Sequence, residues 1–187
     1  MEANFGQALA WVRESETGHT DSATNVAHWG NDDDPADSGG RTSRGITQRE
    51  CDAYCAMAAL KPTDVWKLEN GIVDDIYHRS YWMPYGPVMP PGVDYMLFDD
   101  GVLSGPVTAI KTLQRALRVT ADGHIGVVTS AAIVHANHET LLEDIAVARY
   151  ARYKAITKAH PKDMKFKGGW NNRVEFVLKN ARSMLTT

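Results

Sequence analysis

The sequence predicts a mainly α protein with two helical lobes and one small irregular or β element near residues 30–48. Apolar residues recur at the helical period over most of the chain, whereas residues 18–45 are rich in Gly, Asp, Asn, Ser and Pro and show no period. Of the 187 residues, 43% are hydrophobic and 23% are charged, which is typical of a globular protein. A chain of this length buries a sizeable core without disulfides or metal ions.

The chain begins with a predicted amphipathic helix over residues 3–17. Phe5, Leu9 and Val12 recur there at i, i+4 and i+7, which is the apolar stripe of a packed helix. The polar segment 18–45 follows and is predicted to be a long loop or a short hairpin. A loop of that length inside a compact domain is usually functional.

Helices are predicted for most of the remaining chain. Thr47 and Glu50 have the spacing of a capping box at the start of one of them. The Pro-rich segment 83–92 is the predicted boundary between lobes 1–92 and 93–187, which we expect to pack as one compact unit. The predicted helices cover a stretch from Thr47, then 62–70, 71–82, 93–103, 106–118, 126–136, 138–158 and 170–185.

The two cysteines, Cys51 and Cys55, are one helical turn apart and do not predict a disulfide framework. Neither they nor the seven histidines have the spacing of a metal site, so we expect no metal and no cofactor. The first residues lack the basic and apolar regions of a signal peptide, and no apolar run has membrane-spanning length.

Charge is distributed unevenly along the chain, although the net charge is only −3 and does not indicate a nucleic-acid partner. Eight acids and one base lie in residues 1–37, and eight bases and one acid lie in residues 149–173. A basic face of this kind suits an anionic polymer, and a solvated helix face is the equally simple alternative. The bases are Arg149, Arg152, Lys154, Lys158, Lys162, Lys165, Lys167 and Arg173.

Two carboxylates have the arrangement that glycosidic bond cleavage requires, with one at a rigid helix end and one in a polar loop beside it. At about 100° per residue, position 16 continues the stripe of Phe5 and Val12, whereas position 14 lies opposite. Glu16 is therefore the candidate acid, because partial burial raises the pKa of a carboxyl group, and Glu14 is expected to face solvent. Asp37 is the candidate partner, in a Gly-flanked loop whose N–H groups stabilise an anion.

Several motifs in order resemble those of glycoside hydrolase family 108, the lysozyme-like N-acetylmuramidases. The first, Asp34 to Thr47 (DPADSGGRTSRGIT), is similar to the DPADPGGxTxxGIT signature of that family. Each motif alone is weak evidence for the family, but the motifs occur in the same order as in the family and together extend over nearly the whole chain. The others are YHRSYW at 77–82, FDDGVLSG at 98–105, AIKTLQRAL at 109–117, DGHIGVVT at 122–129 and KGGWNNRV at 167–174.

The resemblance implies a lysozyme-like fold, with a catalytic lobe over 1–92 and a peptidoglycan-binding-like region over 93–187. It implies that Glu16 is the acid and Asp37 the second carboxylate, with Thr42 holding the nucleophilic water. Asp34 is the rival of Asp37, and it also fits the first position of an Asp-Pro turn.

The residues expected to bind the sugar chain are Trp29, Tyr81, Trp82 and Asp99. For Tyr81 and Trp82, packing in the core is the alternative. The chain departs from the family in its segment 19–33, which is about a dozen residues longer, and in the sequence Thr-Gly-His in place of Gly-Gly-Tyr after the acid.

The function predicted from the sequence is that of an endolysin-type N-acetylmuramidase acting on peptidoglycan glycan strands. The alternatives are a lytic transglycosylase, which needs only the acid, and a non-catalytic module that binds the cell wall. We expect a monomer without stable membrane insertion. It should remain in the host cytoplasm until a holin-type pore releases it to the wall.

Overall fold

The structure, a computed structural model, describes residues 2–17, 28–29 and 41–186. Within these ranges the chain forms eight α-helices and one small antiparallel sheet, so the mainly α prediction is confirmed. The sheet has the order β1 (His28–Trp29), β2 (Thr42–Ser43) and β3 (Ile46–Thr47). The helices are α1 (Phe5–Thr17), α2 (Gln48–Met57), α3 (Asn70–Tyr77), α4 (Val93–Ser104), α5 (Pro106–Ala116), α6 (Val127–His135), α7 (His138–Ala159) and α8 (Lys167–Ser183).

The chain divides into two compact units. We call Leu9–Arg79 the sheet unit, and we call Met1–Ala8 together with Ser80–Thr187 the helical unit. The division falls inside α1 and again inside a π-helical turn, His78–Trp82, that directly follows α3. The second division therefore comes just before the Pro-rich segment 83–92 at which the sequence predicted a boundary.

The buried side chains of the sheet unit include residues of α1, α2 and α3. Leu9 and Val12 of α1 are buried, as the helical period predicted, together with Ile76 of α3. Cys51 and Cys55 of α2 are buried free thiols. The sheet unit therefore holds its core by apolar packing.

The predicted helix over 62–70 is wrong in extent, because only one 3₁₀ turn, Val65–Lys67, forms there. The side chain of Gln48 occupies the backbone groups that a helix would need. Its amide nitrogen donates to the carbonyl of Thr63 (2.9 Å), and its amide oxygen accepts from the N–H of the first residue of the turn (2.9 Å). A local propensity for helix is thus overridden by a tertiary contact.

The centre of the helical unit is α4, in which every residue from Val93 to Gly101 is buried. It packs against α5, α7 and α8, which explains why apolar residues cover its whole circumference. Gly101 is required by this packing, since a side chain there would collide with the hydroxyl of Tyr85. That hydroxyl instead donates to the carbonyl of Leu97 (2.7 Å).

Two carboxylates on α4 are buried and neutralised by arginines from α7 and α8. Asp99 accepts from Arg149 (2.7 Å) and from Arg173 (2.8 Å). Asp100 pairs with Arg152 and lies 3.3 Å from Nε of Arg149. Burial raises the pKa of a carboxyl group, but the hydrogen bond from Arg152 and the charges of both arginines outweigh it, so the pKa of Asp100 lies below its ordinary value. Asp100 thus remains ionised inside the core.

Candidate active site

The predicted acid lies near the end of the first helix. α1 is continuous through Thr17, so position 16 keeps the helical register of Val12, four residues earlier. Arg13, in the same helix, forms an ion pair with Asp74 of α3 that attaches this end of α1 to the rest of the sheet unit. The side chain of Glu16 lies outside the described residues. Glu14, which we expected to face solvent, is half-buried.

The hairpin of β2 and β3 is fixed by a tight turn. Ser43 and Ile46 are paired and buried, and the two residues between them, Arg44 and Gly45, have φ values of 52° and 79°. Positive φ at both central positions is the geometry of a type I′ turn, which matches the twist of the strands. Gly45, in the GIT part of the motif, is therefore a conformational requirement of this turn.

Arg44 anchors this turn to the segment before α3. Its guanidinium donates to the carbonyl of Leu68 (2.6 Å) and to the side chain of Asn70. Its own carbonyl accepts from the hydroxyl of Tyr77 (2.9 Å). At the other end of the hairpin, Thr47 and Glu50 form the predicted capping box of α2, which is confirmed. The strands are thus held rigidly at both ends.

Two of the predicted site residues are brought together by the sheet. Trp29 in β1 is the register partner of Thr42 in β2, and Thr42 also pairs with Thr47 in β3. Asp34 and Asp37 belong to the connection between β1 and β2 and lie outside the described residues, as does the side chain of Trp29. The positions predicted for the sugar contact and for the water are therefore neighbours across one strand pair.

A polar hollow of about 320 Å³ lies beside β2 and was not predicted. Arg41 lines it, forms an ion pair with Asp64 (2.7 Å) and stacks its guanidinium 4.5 Å from the ring centre of Trp66. The backbone hydrogen bond from Trp66 and the charge of Arg41 lower the pKa of Asp64. Arg41 directly precedes Thr42, but its partners are more than twenty residues away, so no local pattern could reveal the cluster.

The remaining predicted sugar-binding residues lie in the helical unit. Trp82 is fully buried in a cluster with Phe5 and Phe98, with ring centres 5.5 Å from each. Asp99 is fully buried in its ion pairs with arginine. This burial argues against the direct sugar contact predicted for these two residues and makes them part of the core. Tyr81 is half-buried, and its role stays a prediction.

The segment 122–129 forms a turn held by a buried glutamine. The buried side chain of Gln114 donates to Asp122 (2.7 Å) and to Thr129 (3.1 Å) and accepts from the N–H of Gly123 (2.8 Å). These bonds close the turn before α6. Asp122 is an exposed acceptor whose pKa is lowered, first by the bond from Gln114.

Comparisons with known proteins agree with this arrangement. Residues 11–105 match the family model described as Glycosyl hydrolase 108. The chain belongs to this family. Residues 108–175 match a second model, described as a predicted peptidoglycan domain. A glycosyl hydrolase 108 chain that carries such a domain is a cell-wall hydrolase.

The structural comparison extends over nearly the whole chain. The protein is similar to the solved structure of Brucella abortus SagA, with a TM-score of 0.75 and 29% sequence identity over 98% of this chain and 97% of that chain. No curated protein gives a significant match. The lysozyme-like fold expected of this glycosyl hydrolase 108 member is confirmed.

Membrane-spanning helices and metal clusters are both absent from the described part of the chain. No helix there is both long and apolar enough to cross a membrane. No group of three or more His, Cys, Asp or Glu side chains among residues 2–17, 28–29 and 41–186 has the geometry to hold a metal ion.

Proposed function

We propose that this protein is an endolysin-type N-acetylmuramidase, which hydrolyses the β-1,4 bond between N-acetylmuramic acid and N-acetylglucosamine. One observation carries the proposal: a glycosyl hydrolase 108 region and a peptidoglycan domain lie next to each other in one chain. The first region indicates the reaction, glycoside hydrolysis, and the second indicates the polymer on which it acts, peptidoglycan. In this proposal the site is formed around the end of α1 and the strand pair β1–β2.

In the proposed reaction, Glu16 protonates the oxygen that leaves with the N-acetylglucosamine residue. Its position supports this role, because α1 reaches Thr17 without a break and a general acid must be held rigidly at the scissile bond. Asp37 orients or activates the water, and Thr42 helps to hold it. The rigid hairpin supports the role of Thr42, because a water held by β2 would keep a fixed position.

Two matched variants test the acid. Glu16→Gln should lower the rate on purified peptidoglycan by about 10² or more, in line with the loss of a general acid. Its melting temperature should stay within a few degrees of wild type. Glu14→Gln, in the same helix turn, should keep wild-type activity. The measurement is the fall in turbidity of a peptidoglycan suspension, and the reverse pattern in the two variants would reject the helical register as the basis for choosing Glu16.

A second pair tests the other carboxylate. Asp37→Asn should reduce the rate by about 10² or more, because the amide no longer accepts the proton of water. Asp34→Asn should have a small effect, since its predicted role is to form the Asp-Pro turn. Activity close to wild type in Asp37→Asn, together with loss in Asp34→Asn, would transfer the role to Asp34.

A further inference from the structure

A groove of about 750 Å³ lies between α5 and α7 of the helical unit. Its volume is within the range of about 300–1,000 Å³ that is usual for ligand sites. All of its lining residues fall inside the region 108–175 that matches the peptidoglycan domain. The two sides of the groove differ in chemistry.

One side of the groove carries three cations. Lys111 and Arg115 are four residues apart on one face of α5, and Arg118, just beyond the end of that helix, lines the same groove. Among the described residues none of these three side chains forms an ion pair, whereas Arg149, Arg152 and Arg182 each do. Like charges in such a row repel each other, and an anion between them would remove this repulsion.

Arg118 adds a conformational argument to the electrostatic one. Its φ of 58° is in the left-handed region, and its N–H donates to the carbonyl of Arg115 at the end of α5. Glycine is the residue that usually ends a helix in this conformation. A long cationic side chain at such a position is explained if the side chain itself is used in the groove.

The opposite side of the groove is lined by small apolar side chains of α7. Val147 is 63% exposed, and Ala148, Ala151 and Ala155 continue the same surface. Arg152 also reaches the groove, but Asp100 already neutralises it, and Asp144 is the one carboxylate among the lining residues. The open groove therefore has a net positive charge on one side and an apolar surface on the other.

We propose that this groove binds the stem peptide of peptidoglycan, with its carboxylates at the three cations and its alanine methyl groups against α7. The inference rests on the proposed function in one respect, namely that peptidoglycan is the substrate. A phosphate polymer of the wall would match the cations but would leave the apolar side without a partner. The groove thus adds contact with the peptide to the contact that the active site makes with the glycan.

The test measures binding of a soluble stem tetrapeptide, L-alanyl-γ-D-glutamyl-meso-diaminopimelyl-D-alanine, by isothermal titration calorimetry. The full-length Glu16→Gln protein is used, so that hydrolysis does not interfere. Removing the cations in the triple variant Lys111→Gln, Arg115→Gln, Arg118→Gln should weaken binding by about tenfold or more, from the loss of three ionic contacts. Ala151→Trp, which keeps every charge and fills the groove, should weaken it as well.

The control is a second triple variant, Lys158→Gln, Lys162→Gln, Lys165→Gln, which loses the same charge from exposed residues that do not line the groove. It should bind the tetrapeptide as tightly as the parent does. Equal weakening in the two triple variants would overturn the proposal, because net charge alone would explain binding. Tighter binding of a glycerol phosphate oligomer than of the tetrapeptide would also overturn it.

The experiments distinguish an error in the groove assignment from an error in the proposed enzymatic function. If wild type cleaves the glycan but the parent protein does not bind the tetrapeptide, the groove assignment is wrong and the muramidase proposal stands. If the tetrapeptide binds in the groove but wild type releases no sugar from peptidoglycan, the groove stands and the enzymatic proposal is wrong.

Discussion

Three arginines of α7 and α8, namely Arg149, Arg152 and Arg173, lie inside the helical unit against Asp99 and Asp100, whereas the lysines near them in the sequence lie on its surface. Arg149 is fully buried, and Lys158, Lys162 and Lys165 are exposed. Arginine suits the interior because its planar fork makes several hydrogen bonds to carboxylates, while an ammonium group is strongly hydrated. A single basic stretch of sequence therefore serves two purposes, one in stability and one in contact with the solvent.

The largest effect is expected when the buried arginine is removed. Arg149→Ala should lower the free energy of unfolding by about 3–5 kcal/mol, since it removes the fully buried cation that Asp99 and Asp100 share and leaves each carboxylate with one arginine. The control is Arg182→Ala, which removes an exposed ion pair with Glu143 and should cost about 0–1 kcal/mol. Urea denaturation measures both values. Similar losses in the two variants would mean that burial does not distinguish these ion pairs.

The second largest effect is expected on stability at acidic pH. The pKa of Asp100 is lowered in the folded protein, so its contribution to stability is present above the ordinary carboxyl pKa of about 3.9 and is lost as the pH falls through the lower folded value. Stability should therefore be nearly constant from neutral pH to about pH 5 and should fall below about pH 4. Denaturation curves at low and high salt check the origin of this fall.

Salt separates the fully buried carboxylate from those nearer the surface. Asp64 and Asp75, which are half-buried, also have lowered pKa values, from hydrogen bonds and nearby arginines, but salt screens charges near the surface more than fully buried ones. The acid-induced loss should largely persist at high salt. Its disappearance there would assign the effect to surface carboxylates and not to the cluster in the core.

The smallest effect on stability is expected at the exposed lysines. The triple variant Lys158→Gln, Lys162→Gln, Lys165→Gln should change the free energy of unfolding by no more than about 0.5 kcal/mol per site. Its binding to whole cell walls should be weaker and should depend less on salt, because fewer charges attract the anionic polymer. Turnover of a short neutral chitooligosaccharide serves as the control. An equal loss on both substrates would show that these lysines shape the fold or the site.

The sequence could predict those features that depend on neighbouring residues. The stripe of Leu9 and Val12, the capping box at Thr47 and most helix ends depend on spacings of three to seven residues, and all are found in the structure. The pairing of Arg149 with Asp99 joins residues fifty positions apart, and no local pattern encodes it. For the same reason, the eight bases of residues 149–173 could not be separated into buried and exposed groups.

The predicted site residues also fall into those that local spacing identifies and those that depend on distant contacts. Glu16 follows from the helical register, and Thr42 from its place in a motif that forms a tight hairpin. The burial of Trp82 depends on Phe5 and Phe98, which come from distant parts of the sequence, so an aromatic core residue resembled a sugar-binding one. Position in a helix or a hairpin depends on near neighbours and could be predicted from the sequence, whereas burial between helices could not; the catalytic roles of Glu16 and Thr42 stay predictions.

The most direct test of the proposed function is mass spectrometry of the fragments that wild type releases from purified peptidoglycan. An N-acetylmuramidase leaves reducing N-acetylmuramic acid ends, which borohydride converts to the alcohol, and this is the result that we predict. Anhydro-muramic acid ends would contradict it and identify a lytic transglycosylase. Binding to the wall without release of any fragment would contradict it as well and leave a non-catalytic binding module.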